Sequence, residues 1–309
     1  MVYGIEDLLN FGDIIDSVNK MNGYTKKNTF SVSKIVHEAC VTPFDERAVA
    51  ERTMRRNFND PNSEYYQMNV DAIIDVWHKK RDSGRYKGMA LDKFVQNLWE
   101  SGINDEAHIR VWANNTSIIS NRLYENSGAN DLIKKLKDQP TEHKKLRCRC
   151  VQAADTIIRF FEQFYNNGYK PSIVCYEKTL FLPNAVNGRF DALFYIQDMM
   201  NRGEDYSKFI LVDVKNDENI LKPNPFDDII LGPYTGMEAS SMNLYSLQLN
   251  MYKHMLINTY GLKEHMVTPY IFNSNGRQAK FYKCPIEYDK DKMNELISLA
   301  VKQFAQPVR

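Results

Sequence analysis

Asp213 and Lys215 close the apolar run Phe209-Ile210-Leu211-Val212, in the order Val212-Asp213-Val214-Lys215. Residues two apart on a strand share a face, so this spacing sets a carboxylate beside an ammonium while Val212 and Val214 turn into packing. One apolar run earlier, Gly188-Arg189-Phe190-Asp191 places a second carboxylate just after a turn glycine. Glu177, within Cys175-Tyr176-Glu177-Lys178, offers a third on the preceding run. If these runs pair as strands, the carboxylates and the lysine converge at one sheet edge. Oxygen donors of this kind suit a hard divalent cation, Mg2+ or Mn2+, better than a softer metal. A cation with an ammonium at its side is the equipment of phosphodiester hydrolysis: Lys215 positions the water or neutralises the developing charge. Farther on, Gln248 and Tyr252 stand four apart on one helix face, beside the apolar stripe Leu244, Leu247, Met251 and Met255. They can bind phosphate or hold the metal ligands in place. Singly, each of these residues is more often a solvated or packing side chain; the ordered set carries the expectation.

Two kinds of segment must position them. From about Ser31 to Phe164 apolar residues recur at three and four, which predicts helices over Ser33 to Cys40, Asp45 to Asn57, Ser63 to Lys80, Lys87 to Ser101, a stretch reaching Arg122, and Thr141 to Tyr165. Beyond Asn166-Asn167-Gly168 the pattern becomes short and β-rich: Ser172 to Leu182, Arg189 to Ile196 and Phe209 to Val214, read as a three-stranded meander. A loop rich in Pro, Gly and Asp follows, then a helix from Met242 to Tyr260, strands over Pro269 to Phe272 and Lys280 to Pro285, and a helix from Asp289 to Phe304. The fold class is α/β.

The 309 residues can bury a substantial core. Forty basic and thirty-nine acidic residues give a formal charge of +1, so any nucleic-acid surface must be local. There is no apolar run of membrane-spanning length and no secretion-signal layout at the amino terminus, and a soluble, intracellular protein is expected. Five scattered cysteines fit free thiols better than a disulfide framework. The six histidines lack zinc-ligand spacing, and no Gly-rich phosphate loop is present.

Glu177, Gly188-Arg189-Phe190-Asp191, Asp213-Val214-Lys215 and Gln248-Leu249-Asn250-Met251-Tyr252 together resemble the Glu, Gly-x-x-Asp, Asp-x-Lys and Gln-x-x-x-Tyr series of RecB-like PD-(D/E)XK nucleases. Upstream, Phe30-Ser31-Val32-Ser33-Lys34 resembles that family's Ser-x-Ser segment, and Trp77 with Gly88-Met89-Ala90-Leu91-Asp92 its Trp and Gly-x-x-x-His helix. The resemblance implies a restriction-endonuclease-like core, a mixed central sheet flanked by helices, over residues 151–309. It implies a mainly helical region over residues 1–150 forming part of a DNA channel. It implies Asp191, Asp213, Lys215, Glu177, Gln248 and Tyr252 as catalytic, and Asp191, Asp213, Val214, Asp92 and Glu177 at Mg2+ or Mn2+. Asp92 stands where the family usually has a histidine ligand, and aspartate also binds these ions. Members with an iron–sulfur cluster carry three cysteines after the core; only Cys284 lies there, so no cluster is expected.

The partner implied is DNA, as single strands or duplex ends, and the mode exonucleolytic. Basic residues gather at Arg52 to Arg56, at His78 to Arg81 with Arg85 and Lys87, and at His143 to Arg149. Of these, Arg81, Arg85 and Lys87 precede Asp92 and are the expected phosphate contacts; Tyr65, Tyr66 and Trp99 are candidates to stack on unpaired bases. The alternatives are a structure- or site-specific endonuclease on the same core and a non-catalytic DNA-binding subunit with a decayed site.

Overall fold

The run that carries Asp213 is the middle strand of a five-stranded sheet. The structure, a computed structural model, describes residues 3–42, 44–101, 103, 105–126, 140–203, 206–224 and 228–305. In sheet order the strands are β2 (Tyr169–Tyr176), β5 (Ala192–Asp198), β6 (Lys208–Lys215), β7 (Val267–Ser274) and β8 (Ala279–Lys283). β6 is parallel to β7, and every other pairing in this sheet is antiparallel. A smaller sheet sets β4 (Val186–Arg189) between β1 (Phe30–Ser31), parallel to it, and β3 (Thr179–Leu182), antiparallel. The architecture is mixed α/β.

Both faces of the large sheet are covered, which is why β6 reads as a continuous apolar run. Phe209 and Leu211 enter one apolar cluster, whereas Ile210, Val212 and Val214 enter the other. The first cluster is built with α1 (Ile5–Leu9), α2 (Phe11–Met21), α9 (Ser241–Asn258) and α10 (Lys290–Ala305). The second takes side chains from α5 (Val70–Glu100), α6 (Glu106–Ala113), α7 (Thr116–Asn126) and α8 (Pro140–Asn166). β1 leads into a short helix, α3 (Val32–Lys34), which continues as a π-turn over Ile35–Ala39; Ser31 caps it by accepting from Lys34 N at 3.1 Å. α4 (Glu46–Asn57), capped by Asp45, pairs with the first part of α5 as a helical hairpin.

Three features differ from the sequence expectation. Residues 63–69 form turns, and one unbroken helix, α5, replaces the two expected over Ser63 to Lys80 and Lys87 to Ser101. Asn69 caps it, accepting from Ala72 N at 2.8 Å. Gly84 does not interrupt it, because one helical glycine costs only about 1 kcal/mol. The strand expected over Ser172 to Leu182 breaks at Glu177, whose φ is +49°. That left-handed residue passes the chain from the large sheet to the small one. The meander persists as β2, β5 and β6, with the β3–β4 hairpin inserted. Finally, α1 and α2 were not anticipated, although Leu8, Phe11 and Ile15 at helical spacing bury against the sheet. α8 runs unbroken through residue 150. Among the described residues no helix is long and apolar enough to cross a membrane, and all five cysteines are free thiols.

Candidate active site

Strand register lines up the carboxylates. The last β5–β6 partners are Ala192 and Val212, so the next antiparallel step sets Asp191 opposite Asp213. The last β2–β5 partners are Tyr176 and Ala192, and Glu177 N donates to Asp191 O at 2.9 Å. Glu177, Asp191 and Asp213 thus form a row across three neighbouring strand ends. Asp191 Oδ2 accepts from Val214 N at 2.6 Å, which ties the row together across β5 and β6.

Asp213 is 2 % exposed, and its Oδ2 lies 2.6 Å from Lys215 Nζ. The Lys215 ammonium is thus the partner of this buried oxygen. Burial disfavours the Lys215 ammonium, but the Asp213 and Asp191 carboxylates outweigh it and raise its pKa above the ordinary lysine value. The same crowding acts in reverse on Asp191. Burial and the Asp213 charge raise its pKa well above the carboxylate range, against the pull of Lys215.

A close approach of α5 brings Asp92 to this row. Asn216, directly after β6, donates through Nδ2 to Gly84 O at 3.3 Å, and a Cβ on Gly88 would stand 3.3 Å from the same nitrogen. Glycine at 88 lets the helix lie against the strand end. One turn farther on, Asp92 meets solvent yet is crowded enough by protein for its pKa to rise to about 7. Asp213 and Glu177 add to the rise, and Lys215 and Arg189 oppose it.

α9 supports the row from below. Apart from Gln248, its residues from Ser246 to Leu256 are buried, so this helix has no wet face at mid-length. Tyr252 is 3 % exposed, and its OH accepts from Gln248 Nε2 at 3.2 Å. A Cβ on Gly188 would fall 2.5 Å from Tyr252 Cε1 and 2.8 Å from Val32 Cγ2. The glycine of Gly188-Arg189-Phe190-Asp191 is therefore a seat for the Tyr252 ring. Tyr252, about as buried as Asp213, seats its ring against Gly188 and so is placed to hold β4 beside the row. Burial and the Asp213 charge also keep its hydroxyl protonated.

Other expected site residues separate. Glu177 is exposed and faces Arg189, 3.6 Å away. The Val214 side chain lies in the second cluster, so only its backbone faces the row. An open cleft of about 590 Å³ adjoins Lys215 and is lined by Lys79, Lys80, Ser83, Lys87, Asn216 and Tyr245, among others. Lys87 belongs to its wall, whereas Arg81 and Arg85 lie on exposed parts of α5 that do not line it. Trp99, a proposed base-stacking residue, is instead core, edge-on to Phe194 at 5.5 Å between centroids. Arg149, from the third basic cluster, is 2 % exposed and paired with Glu218 rather than solvated. His143 lies outside the residues whose side chains are described.

Several contributors carry no sequence signal of their own. Tyr245 holds Lys215 Nζ 4.9 Å from its ring centroid and donates to Asp217 Oδ2 at 3.4 Å. The buried Asn273 grips the chain after Lys215, accepting from Asp217 N at 2.9 Å and donating to Asp217 O at 3.0 Å. His37 sits on the π-turn, where partial burial and the Lys215 charge lower its pKa against Glu38. A register across β6 and β7 was needed to find Asn273, which sits opposite Lys215.

Among the described residues no three His, Cys, Asp or Glu side chains close into a ready metal cage. The donors still fit a hard cation that keeps several waters and takes one or two carboxylates plus substrate oxygens. Their oxygens are hard, and burial and the neighbouring Asp213 charge disfavour the Asp191 carboxylate as it stands, a crowding of negative charge that a cation would relieve. A scan against protein-family models finds no match to this chain, and a search of curated proteins finds none.

Proposed function

We propose that this protein is a Mg2+- or Mn2+-dependent DNA nuclease built on a PD-(D/E)XK core, acting on strand ends. The observation that supports it is the row of Glu177, Asp191 and Asp213, with Lys215 beside Asp213 and against Tyr245, whose ring also lines a cleft that carries Lys79, Lys80 and Lys87 along with Asp217 and Glu218. Asp191 and Asp213 would hold the cation, with Asp92, Glu177 and the Val214 backbone as accessory contacts. When bound, it supplies Lewis-acid polarisation of the phosphoryl group and a more acidic water.

The protein's own groups do the rest. Lys215, its pKa raised, stays an ammonium at neutral pH; it cannot serve as a base, and it offsets negative charge growing on the phosphate. Asp213 fixes where that ammonium sits. Gln248 and Tyr252 position the strand ends, and Asn273 sets the loop that follows Lys215. Lys79, Lys80 and Lys87 attract the backbone of the incoming strand; Arg81 and Arg85 remain candidates for outer phosphate contacts.

The test is hydrolysis of end-labelled linear single- and double-stranded DNA beside a closed circle, with Mg2+, Mn2+ or EDTA, comparing wild type with Lys215→Ala. Degradation that needs the cation and Lys215 and spares the circle is expected. A cut circle would replace the exonuclease with an endonuclease on the same core. Intact DNA under every metal condition would refute the nuclease and leave a DNA-binding subunit.

A further inference from the structure

After Ile73 the next buried residue of α5 is Ala90; between them the helix meets the strand end at Gly84 and Gly88, and its first part pairs with α4 as a hairpin arm. An arm of this kind should shed its large apolar groups to solvent-excluded sites, yet it keeps aromatics at its surface. Trp77 packs with Phe44 at 6.4 Å between centroids and edge-on with Tyr65 at 6.5 Å, and its Nε1 donates to Tyr65 OH at 3.1 Å. Phe44 is 59 % exposed. Lys80 Nζ lies 5.7 Å from the Tyr65 ring centroid, where Glu64 also pairs with it.

The aromatic group is continuous with the cleft. Trp77, Lys80, Gly84, Lys87 and Gly88 recur at three and four along α5, which makes one stripe, and Lys79 and Ser83 border it. At 1.5 Å per residue Trp77 stands about 22 Å from Asp92. Lys79, Lys80, Arg81, Arg85 and Lys87 against Asp82 make this stretch of α5 basic in a chain of near-zero charge, with Glu64 paired to Lys80 and with Asp217 and Glu218, the latter paired to Arg149, across the cleft. Aromatic faces set along a cationic groove match unpaired bases on a polyanionic backbone; a duplex offers its phosphates but keeps its base faces stacked.

We infer that Phe44, Tyr65 and Trp77 form a stacking platform for single-stranded DNA, and that the strand runs from it along the α5 stripe to the Asp213–Lys215 edge. This rests on the nuclease reading and narrows its substrate to an unpaired strand several nucleotides long. The surface commits to nucleic acid over a protein partner because its lysine stripe leads to Asn216 and Tyr245, beside Lys215.

The experiment measures binding in EDTA, where no cleavage occurs, of fluorescent oligo-dT and of a blunt duplex to wild type, Phe44→Ala and Trp77→Phe. Phe44→Ala removes a mostly exposed ring, so the thermal midpoint should hold. Its oligo-dT dissociation constant should rise about tenfold, within the roughly 5- to 150-fold range that loss of one base stack gives. Duplex affinity should hardly change. In Trp77→Phe, which keeps a stacking ring, affinity should stay near wild type while the fluorescence quenching by oligo-dT falls. Equal oligo-dT affinity in Phe44→Ala and wild type, or parallel losses for both DNAs, would overturn the platform. So would a wild type that binds neither. Cation-dependent hydrolysis is scored separately on wild type, so its failure would strike the nuclease reading and leave the binding result legible.

Discussion

Changing Asp191 to Asn should make the cation-free protein more stable. Opposite residues of an antiparallel pair hold their Cβ atoms about 5 Å apart, and like charges there are destabilising. At an effective dielectric of about 20, two unit charges at that distance repel by roughly 3 kcal/mol. Lys215 offsets part of this, and burial of the Asp191 carboxylate adds to it. The net penalty is about 1–3 kcal/mol. Asparagine has nearly the same shape, its Oδ1 can still accept from Val214 N, and its amide can donate toward Asp213. In EDTA at pH 8 the variant should therefore melt about 2–6 °C above wild type by calorimetry. The pH dependence fixes the cause. A carboxyl whose folded pKa is raised weakens the fold wherever the unfolded chain would ionise it. The variant's advantage should vanish below about pH 3, where folded and unfolded carboxyls are both protonated, grow as pH rises, and level off above the folded pKa. A variant that melts at or below wild type at pH 8, or an advantage independent of pH, would refute the electrostatic reasoning.

Lys215→Ala leaves the buried Asp213 carboxylate without its cation, and should cost about 2–4 kcal/mol in urea denaturation as well as abolish any hydrolysis. Gly188→Ala drives a methyl into Tyr252 and Val32 and should cost about 1–3 kcal/mol; Tyr252→Leu in the same chain should recover part of that in the same assay. Mn2+ should raise the melting temperature of wild type more at pH 8 than at pH 6, because Asp92, pushed up to about 7, must lose its proton to join a cation; a cation effect unchanged across that range would remove Asp92 from the site.

The sequence made the placement of Asp213 and Lys215 on β6 readable because parity on a strand is strict. Asp213 and Lys215 share a face, and Val212 and Val214 pack on the other, as spacing alone requires. The α/β class was legible for the same reason. The break at Glu177 was not, since the run from Ser172 to Leu182 is β-favouring throughout and only a tertiary path between two sheets demands the left-handed turn. Continuity of α5 was missed because Gly84 is a breaker by composition but costs little in a helix with good formers on both sides. Tyr252 was read as binding phosphate or holding the metal ligands in place, and it is Gly188, a residue without a side chain, that reveals where its ring sits. Contacts between distant segments, such as Asn216 with Gly84 or Asn273 with Asp217, leave no local pattern to read.

The alternation along β6 also bears on folding fidelity. A slip of one residue against β5 would send Asp213 and Lys215 into the cluster of Phe194 and Phe272, far from water, and swing Val212 and Val214 out toward the carboxylates. Stranding those charges in an apolar layer costs several kcal/mol each, more than any single apolar contact returns. The groups proposed to do chemistry thus act earlier as proofreaders of strand register, and a chain that has lost both charges should tolerate misaligned sheets that this one rejects.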